Sequence, residues 1–152
     1  MIKITQNIDD ISLVWGEAFG DSFEDIKYFD DNIQNAKCLA YYYNESICSL
    51  LYLIDCSLGE KNGKYVYAVC TLKKYKSKGF ATELLEYAKR EYGSLCLIPA
   101  NEVLIDFYKK RGFVYEYELN DIEFFESDEL KNDYLLVGCE LEKPIILSDT
   151  EV

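Results

Sequence analysis

The chain has 152 residues, the length of one domain, and 49% of them are hydrophobic and 15% aromatic, which suits a buried core and excludes a disordered segment. The formal net charge of −12 would repel a phosphate backbone and argues against a nucleic-acid partner. No apolar run approaches the ~20 residues of a membrane-spanning helix and no secretory signal is present, so the sequence predicts a cytoplasmic protein with no membrane partner.

The charge is divided into three blocks along the chain. Residues 1–60 carry 3 basic and 11 acidic side chains, residues 61–113 carry 11 basic and 5 acidic, and residues 114–152 carry 2 basic and 12 acidic. The basic middle block predicts an anionic ligand there, and the acidic ends favour a cationic second partner. The alternative is that the charged side chains of these blocks are only solvated and that no ligand binds there.

The cysteine pattern argues against a metal site. The chain has six cysteines and no histidine, and no CxxC spacing is present. The cysteines lie in or beside apolar runs, where a thiol behaves as a small hydrophobe. Without an export signal we expect them to be reduced. They are Cys38, Cys48, Cys56, Cys70, Cys96 and Cys139.

Hydrophobic periodicity predicts strands and helices in the first half of the chain. The predicted elements are a strand over 1–5, a helix over 8–19, a second helix that starts after Ser22, and strands over 37–43, 46–57 and 64–72. Gly20 ends the first helix, and Ser22 with Asp25 has the pattern of a capping box. Residues 58–63 are predicted to be a hairpin connection. The nearly continuous apolar character of 64–72 favours a central strand.

A strand–helix–strand unit follows in the second half. Residues 81–92 form one amphipathic helix that Gly93 ends, and 94–98 form a short apolar strand, which predicts a right-handed parallel unit. Asn101 is a good N-cap for the next helix, which Gly112 ends. The remaining predicted elements are a strand over 113–125, a polar connection over 127–133, a last strand over 134–141 and a loose tail after Pro144.

A lysine-rich turn lies between the strand over 64–72 and the helix over 81–92. Four lysines fall within the six residues 73–78, and Gly79 follows them. Backbone N–H groups of such a turn and the dipole of the helix attract an anion, so we predict a phosphate site. Gly79 lets the backbone approach a phosphate without a Cβ. The alternatives are an ordinary turn glycine and solvated lysines.

Two segments together resemble the GNAT superfamily of acetyl-CoA-dependent N-acetyltransferases. Residues 76–81, Lys-Ser-Lys-Gly-Phe-Ala, are similar to the family's pyrophosphate loop, with Lys76 in place of the usual Arg or Gln. Residues 97–101, Leu-Ile-Pro-Ala-Asn, followed by Phe-Tyr-Lys-Lys-Arg-Gly-Phe at 107–113, are similar to the region that comes next in the family. The motifs cover about residues 65–115, and the flanks resemble the family in element order alone.

The resemblance implies an α/β (α+β) fold. Its sheet would be mixed and mostly antiparallel, with about seven strands, a central parallel pair that splays apart, and helices on both faces. The parallel pair would be 64–72 and 94–98. The chain would be a single domain over 1–152. Its parts would be acceptor-side helices and first strands over 1–60, an acetyl-CoA-binding core over 61–113, C-terminal strands over 114–143 and a tail over 144–152.

The resemblance also implies residue roles. Backbone groups around Thr71 and Leu72 would bond the pantetheine arm, and N–H groups from 76 to 82 would hold the pyrophosphate. Tyr108 would be the general acid that protonates the leaving thiolate. Asn101 as a cap alone and Tyr108 as a core aromatic are the alternatives. The implied cofactor-binding residues are Thr71, Leu72, Lys76, Ser77, Lys78, Gly79, Phe80, Ala81, Thr82 and Asn101.

The implied activity is transfer of acetyl from acetyl-CoA, with no metal, to a primary amine by direct attack. The acidic ends favour a cationic acceptor such as a polyamine, an aminoglycoside or a lysine side chain. Without histidine, the general base is a carboxylate, a water chain or absent, and the carboxylate candidates are Asp55, Glu116 and Glu118. A non-catalytic acyl-CoA-binding or regulatory domain of the same fold is the alternative, and an unrelated phosphate-binding domain is a third.

Four aromatic residues near the C-terminal strands bear on assembly. They would suit the seam of a homodimer, and they would equally suit packing beside the sheet. These residues are Tyr115, Tyr117, Phe124 and Phe125.

Overall fold

The computed structural model describes residues 1–33, 35–125 and 128–152. The elements are β1 (Ile2–Thr5), α1 (Ile8–Phe19), α2 (Phe23–Asn32), β2 (Ala36–Tyr43), β3 (Ser46–Leu58), β4 (Lys61–Thr71), α3 (Phe80–Tyr92), β5 (Leu95–Leu97), α4 (Glu102–Lys109), β6 (Tyr115–Tyr117), β7 (Ile122–Phe124) and β8 (Ile146–Ser148). Short 3₁₀ turns cover Lys73–Tyr75 and Leu119–Asp121, and a π-helical turn covers Leu130–Tyr134. Within the described ranges, no helix is long and apolar enough to cross a membrane.

The strands form one open sheet. Their order is β1-β2-β3-β4-β5-β8-β6, and β7 pairs with β3 off this path. Among the described strands, β4 and β5 are parallel and every other pair is antiparallel. The predicted mixed, mostly antiparallel sheet with a central parallel pair is confirmed, with eight strands.

Local capping explains where the helices begin and end. The side chain of Asn7 accepts a hydrogen bond from the Asp10 N–H at the start of α1, and Gly20 ends that helix with φ of 78°. Ser22 accepts from the Asp25 N–H at the start of α2, as the sequence predicts. Asn7 and Ser22 each satisfy an N–H group that has no partner within the helix, and the Gly20 N–H satisfies the Gly16 carbonyl. The junction of α1 and α2 is therefore confined to residues 20–22.

The helices cover both faces of the sheet, as predicted. Helices α1 and α2 pack on one face, where the ring of Trp15 contacts those of Phe29 and Tyr52 edge-on. Helices α3 and α4 bury their apolar sides on the other face. Alternation along β4 places Tyr67 on the α1/α2 face and Val66 on the α3/α4 face. Both faces of β4 are thus in contact with helices.

The C-terminal prediction is wrong in two places. Residues 134–141, predicted as a strand, form the end of the π-helical turn and the turns after it. Their burial is not alternating: Leu135 is buried, whereas the next two residues, Leu136 and Val137, are both exposed. The tail after Pro144, predicted to be loose, contains β8, whose residues are buried between β5 and β6.

Two further predictions are corrected by the strand lengths. The hairpin connection predicted over 58–63 shrinks to Gly59 and Glu60, because β3 and β4 extend towards each other. The single strand predicted over 113–125 is broken at Leu119–Asp121, where the Glu118 N–H donates to the Asp121 carboxylate. Part of the polar connection predicted over 127–133 lies outside the described residues.

The four aromatic residues considered for a dimer seam fall into two groups by side-chain burial. Tyr115 and Phe125 are exposed. Tyr117 and Phe124 are partly buried and pack against the core of the α1/α2 face. All six cysteines are free thiols, and five of them are buried.

Leu147→Ala tests the unexpected strand. Leu147 is fully buried, and it lies between Leu97 of β5 and Glu116 of β6. We expect the substitution to lower the free energy of unfolding by about 2–4 kcal/mol, because it leaves a cavity. The matched change Leu13→Ala, at an exposed position of α1, should alter it by less than about 0.5 kcal/mol. Equal losses in urea denaturation would contradict the buried position of β8.

Candidate active site

The two parallel strands separate after a short contact. Only Lys64 with Leu95 and Tyr65 with Cys96 are paired, and β5 ends at Leu97 while β4 continues for several residues. A cleft of about 290 Å³ opens at this point. It is lined by β4, by the end of β5, by α4 and by the C-terminal end of α1. The splayed parallel pair therefore forms a cleft near the centre of the sheet.

The β4 wall of the cleft contains a β-bulge. Tyr67 pairs with Tyr52 and Cys70 pairs with Leu50, so two residues of β4 oppose one residue of β3. The two residues are Ala68, with φ of 58°, and Val69, and both line the cleft. A bulge leaves backbone groups outside the ladder and is common beside active sites. No glycine marks this position, and the sequence pattern did not reveal it.

The lysine-rich turn presents backbone N–H groups at the start of α3. Ser77 and Gly79 have φ of 64° and 83°, which turns the chain sharply on both sides of Lys78. The first hydrogen bond of α3 runs from the Glu83 N–H to the Gly79 carbonyl. Within the described ranges, no protein acceptor pairs with the backbone N–H groups of 77–82. Such N–H groups at a helix N-terminus form a site for an anion.

The side chains of the turn are solvated. Lys73, Lys74, Lys76 and Lys78 are all exposed, so their attraction for an anion is long-range and screened by salt. The backbone N–H of Lys73 donates to a carboxylate oxygen of Glu17 at 2.6 Å. This bond fixes the beginning of the turn against α1.

Arg111 connects the two helices that carry the predicted site residues. Its Nε donates to the Thr82 hydroxyl at 2.8 Å, and its Nη1 donates to the Phe107 carbonyl at 2.8 Å. The guanidinium also lies 3.5 Å from the centre of the Phe107 ring. Arg111 therefore joins the first turn of α3 to the last turn of α4, a role that the sequence pattern did not indicate.

The other residues that the resemblance implies for cofactor binding lie just before or just after this turn. The ring of Phe80 stacks on that of Tyr41 at 4.4 Å, and Ala81 follows it in the first turn of α3. Leu72 is buried, its N–H donates to the Cys48 carbonyl, and its own carbonyl accepts from Tyr75. The Thr71 hydroxyl lies 2.8 Å from that of Ser49. Both backbone groups of Leu72 are thus used within the protein.

Helix α4 places Tyr108 at the cleft. The residue is 7% exposed and lines the cavity, and within the described ranges its hydroxyl has no hydrogen-bond partner. Burial raises the pKa of Tyr108 to about 12, although the charge of Arg111 opposes this. Asn101 caps α4 by accepting from the Leu104 N–H at 3.0 Å. Tyr108 is therefore protonated at neutral pH and faces the cavity.

The three carboxylates considered as general bases lie away from the cleft. Asp55 pairs with Lys64, and Glu116 pairs with Lys109 at 2.9 Å. Glu118 begins the Leu119–Asp121 turn. These three residues do not line the cavity.

Asp21 supplies a carboxylate at the cleft that sequence reasoning missed. Its Oδ2 accepts a hydrogen bond from the Trp15 Nε1 at 2.8 Å, and both side chains line the cavity. Asp21 directly follows Gly20 at the junction of α1 and α2. This position, beside a predicted helix end, was the signal available in the sequence.

The segment after the π-helical turn forms the remaining wall. Leu135, Val137 and Cys139 line the cavity. The Glu140 N–H donates to the Ala100 carbonyl at 2.7 Å, which attaches this segment to the chain that leaves β5. The predicted strand over 134–141 is thus a wall of the cleft.

The family is established by the sequence of the region just described. The profile of the Acetyltransferase (GNAT) family matches residues 5–113, which include both parallel strands, the lysine-rich turn and α4. The chain therefore belongs to this family of acyltransferases. A comparison with curated proteins finds no significant match.

Solved structures share the fold at low sequence identity. A GNAT family acetyltransferase from Elizabethkingia anophelis with acetyl-CoA bound is 16% identical, with a TM-score of 0.62 over 97% of this chain and 95% of that one. The Corynebacterium glutamicum histone acetyltransferase HPA2 and related acetyltransferase is 10% identical, with a TM-score of 0.70 over 100% and 96%. A conserved Enterococcus faecalis protein is 13% identical, with a TM-score of 0.57; 80% of this chain matches, spanning only 35% of that protein.

Arg111→Lys tests the connection between α3 and α4. Lysine lacks the planar fork that reaches Thr82 and Phe107 together, so we expect the free energy of unfolding to fall by about 1–2 kcal/mol. The matched change Arg90→Lys, at an exposed arginine of α3, should alter it by less than about 0.5 kcal/mol. The two losses are compared by urea denaturation. Equal losses would show that the Arg111 contacts do not stabilise the protein.

Proposed function

We propose that the protein transfers an acetyl group from acetyl-CoA to a primary amine. The observation that carries this proposal is the course of β4. Its bulge at Ala68 and Val69 lines the cleft, and its C-terminal end leads directly into the turn with free N–H groups. One strand thus connects a site for a phosphate with a cavity that holds Tyr108. In this proposal residues 1–152 are one domain.

The cofactor would bind along this strand. The N–H groups of Ser77 to Thr82 and the dipole of α3 would hold the pyrophosphate, and Lys76 would add a point charge. The pantetheine arm would lie in the cleft between β4 and β5. Because the backbone groups of Leu72 are engaged, the bulge residues Ala68 and Val69 would bond the arm in place of Thr71 and Leu72. The acetyl-CoA bound to the Elizabethkingia relative supports this choice of cofactor.

The cleft then supplies the chemistry of direct transfer. The neutral amine attacks the thioester carbonyl, a C–N bond forms, and N–H groups at the bulge donate hydrogen bonds to the oxyanion. Collapse breaks the C–S bond, and the Tyr108 hydroxyl donates its proton to the departing thiolate. The amine nitrogen loses its extra proton to solvent, and solvent reprotonates Tyr108. Asn101 contributes by capping α4 and fixing the helix that carries Tyr108.

Calorimetric titration with acetyl-CoA tests the cofactor site. We expect Gly79→Glu to abolish saturable binding, because a carboxylate would occupy the phosphate site. Gly20→Glu is a matched control: Gly20 and Gly79 have φ of 78° and 83° with ψ of 7° and 11°, and neither has an atom within 4 Å of an added Cβ. It should bind acetyl-CoA as the parent does. Absence of binding to the parent at low salt would refute the proposal.

Tyr108→Phe tests the general acid. We expect kcat to fall about 100-fold while the Kd for acetyl-CoA is unchanged, because the proton donor is lost and the packing kept. Tyr115→Phe, at an exposed tyrosine of β6, should leave both unchanged. Since the pKa of Tyr108 is about 12, kcat should not decline between about pH 7 and about pH 10 through loss of this proton. Binding of acetyl-CoA without turnover of any amine would instead support a non-catalytic domain.

A further inference from the structure

The α1/α2 side of the cleft has its own chemistry. Among the described residues that line the cavity, Asp21 is the one that carries a charge. The lining also includes the rings of Trp15, Phe19 and Tyr67 and the side chain of Val137. This half of the cleft is therefore an apolar, aromatic surface with one negative charge.

The carboxylate of Asp21 is held in place and remains available. The Trp15 Nε1 donates to Oδ2 at 2.8 Å, and within the described ranges no cation or donor pairs with Oδ1. Burial raises the pKa of the neighbouring Tyr67 to about 12, and the negative charge of Asp21 is the second cause of this shift. A fixed carboxylate with a free oxygen beside aromatic faces suits an alkylammonium group, which both would attract.

The mouth of this half is apolar. Phe19 is 52% exposed and Val137 is 69% exposed, and both line the cavity. The ring of Phe19 contacts that of Trp15 edge-on, with 6.4 Å between the ring centroids. The two rings therefore form one aromatic surface that leads into the cleft. Exposed apolar side chains that border a cavity indicate a ligand with an apolar surface.

We propose that the acceptor is a small primary amine with a single positive charge on an apolar body. Asp21 positions the ammonium group beside Trp15 and Tyr67, and the body of the amine packs on Phe19 and Val137. The inference rests on the proposed acetyl transfer and adds the class of acceptor. Because Asp21 is exposed, the ammonium group stays in contact with water and loses its proton to solvent before the nitrogen attacks.

The same lining disfavours polycations. A polyamine or an aminoglycoside would bring further ammonium groups into a cavity whose described lining has one carboxylate. These groups would lose their hydration against aromatic and aliphatic side chains without a partner. The net charge of −12 attracts cations in general, but the cleft selects among them by the number of charges.

Trp15 provides a direct measurement of acceptor binding. It is the single tryptophan of the chain, and its ring lines the proposed site. We expect 2-phenylethylamine, added to the protein saturated with CoA, to change the tryptophan fluorescence saturably. The neutral analogue 2-phenylethanol and the polyamine spermidine should each bind at least about tenfold more weakly. Equal or tighter binding of either compound would overturn the inference.

Asp21→Asn separates recognition of the charge from the shape of the site. The asparagine oxygen can still accept from Trp15, so we expect binding of 2-phenylethylamine to weaken at least about tenfold while 2-phenylethanol is unaffected. In steady-state assays the KM for the amine should rise and that for acetyl-CoA should not. Glu24→Gln removes the same charge from an exposed position of α2 and should change neither constant.

The outcomes distinguish the inference from the function on which it rests. If acetyl-CoA binds and spermidine is acetylated faster than 2-phenylethylamine, or if Asp21→Asn equals Glu24→Gln, the inferred acceptor class is wrong and acetyl transfer stands. If acetyl-CoA itself does not bind, the proposed function fails and the inferred acceptor fails with it. Selective binding and acetylation of 2-phenylethylamine, lost in Asp21→Asn, supports both.

Discussion

The separation of β4 from β5 is the constraint on which the rest of the structure depends. The strands are held together at one end, where the Lys64 N–H donates to the Ser94 carbonyl. Gly63 permits this approach, because a Cβ there would lie 2.6 Å from the same carbonyl oxygen. At the other end β5, which pairs with β8 on its far side, stops, and β4 continues with β3 as its neighbour and without a paired strand on the β5 side. The cleft is the space that this unequal pairing creates.

The cleft brings together the two faces of the sheet. The bulge shifts the alternation of β4 residues between the faces, so Val69 belongs to the side of α3 and α4 while Tyr67 and Ala68 belong to the side of α1 and α2. The N–H groups at the start of α3 and the hydroxyl of Tyr108 lie on the first side, and Asp21 lies on the second. In the proposed reaction, an anionic cofactor and a cationic acceptor would therefore approach from different sides.

Sequence reasoning succeeded where the determinants are local. The caps at Ser22 and Asn101, the glycine after α1 and the periodicity of α3 all depend on residues a few positions apart, and the structure confirms these elements. It failed where three-residue strands depend on distant partners. β8 is a strand because β5 and β6 lie on either side of it, and nothing near Ile146 in the sequence records that fact.

The same distinction between local and distant determinants applies to the candidate site. The lysine-rich turn and the α4 helix that carries Tyr108 were predictable, because a turn, a glycine and a helical spacing are local patterns. The bulge at Ala68 was not, because a register shift against β3 produces it and no glycine marks it. Asp21 was missed for a related reason: its importance comes from the meeting of the α1/α2 junction with a cleft formed by residues 65–139.

Tyr108 and Asp21, which line the same cleft, differ in their exposure to water. Tyr108 is enclosed, and loss of water around its hydroxyl raises its pKa, which keeps the phenol protonated at neutral pH. Asp21 is exposed, so water screens its charge. In the proposed mechanism, a chain with no histidine protonates the leaving group through Tyr108 and leaves deprotonation of the amine to solvent. An open, apolar mouth beside Asp21 is consistent with that division.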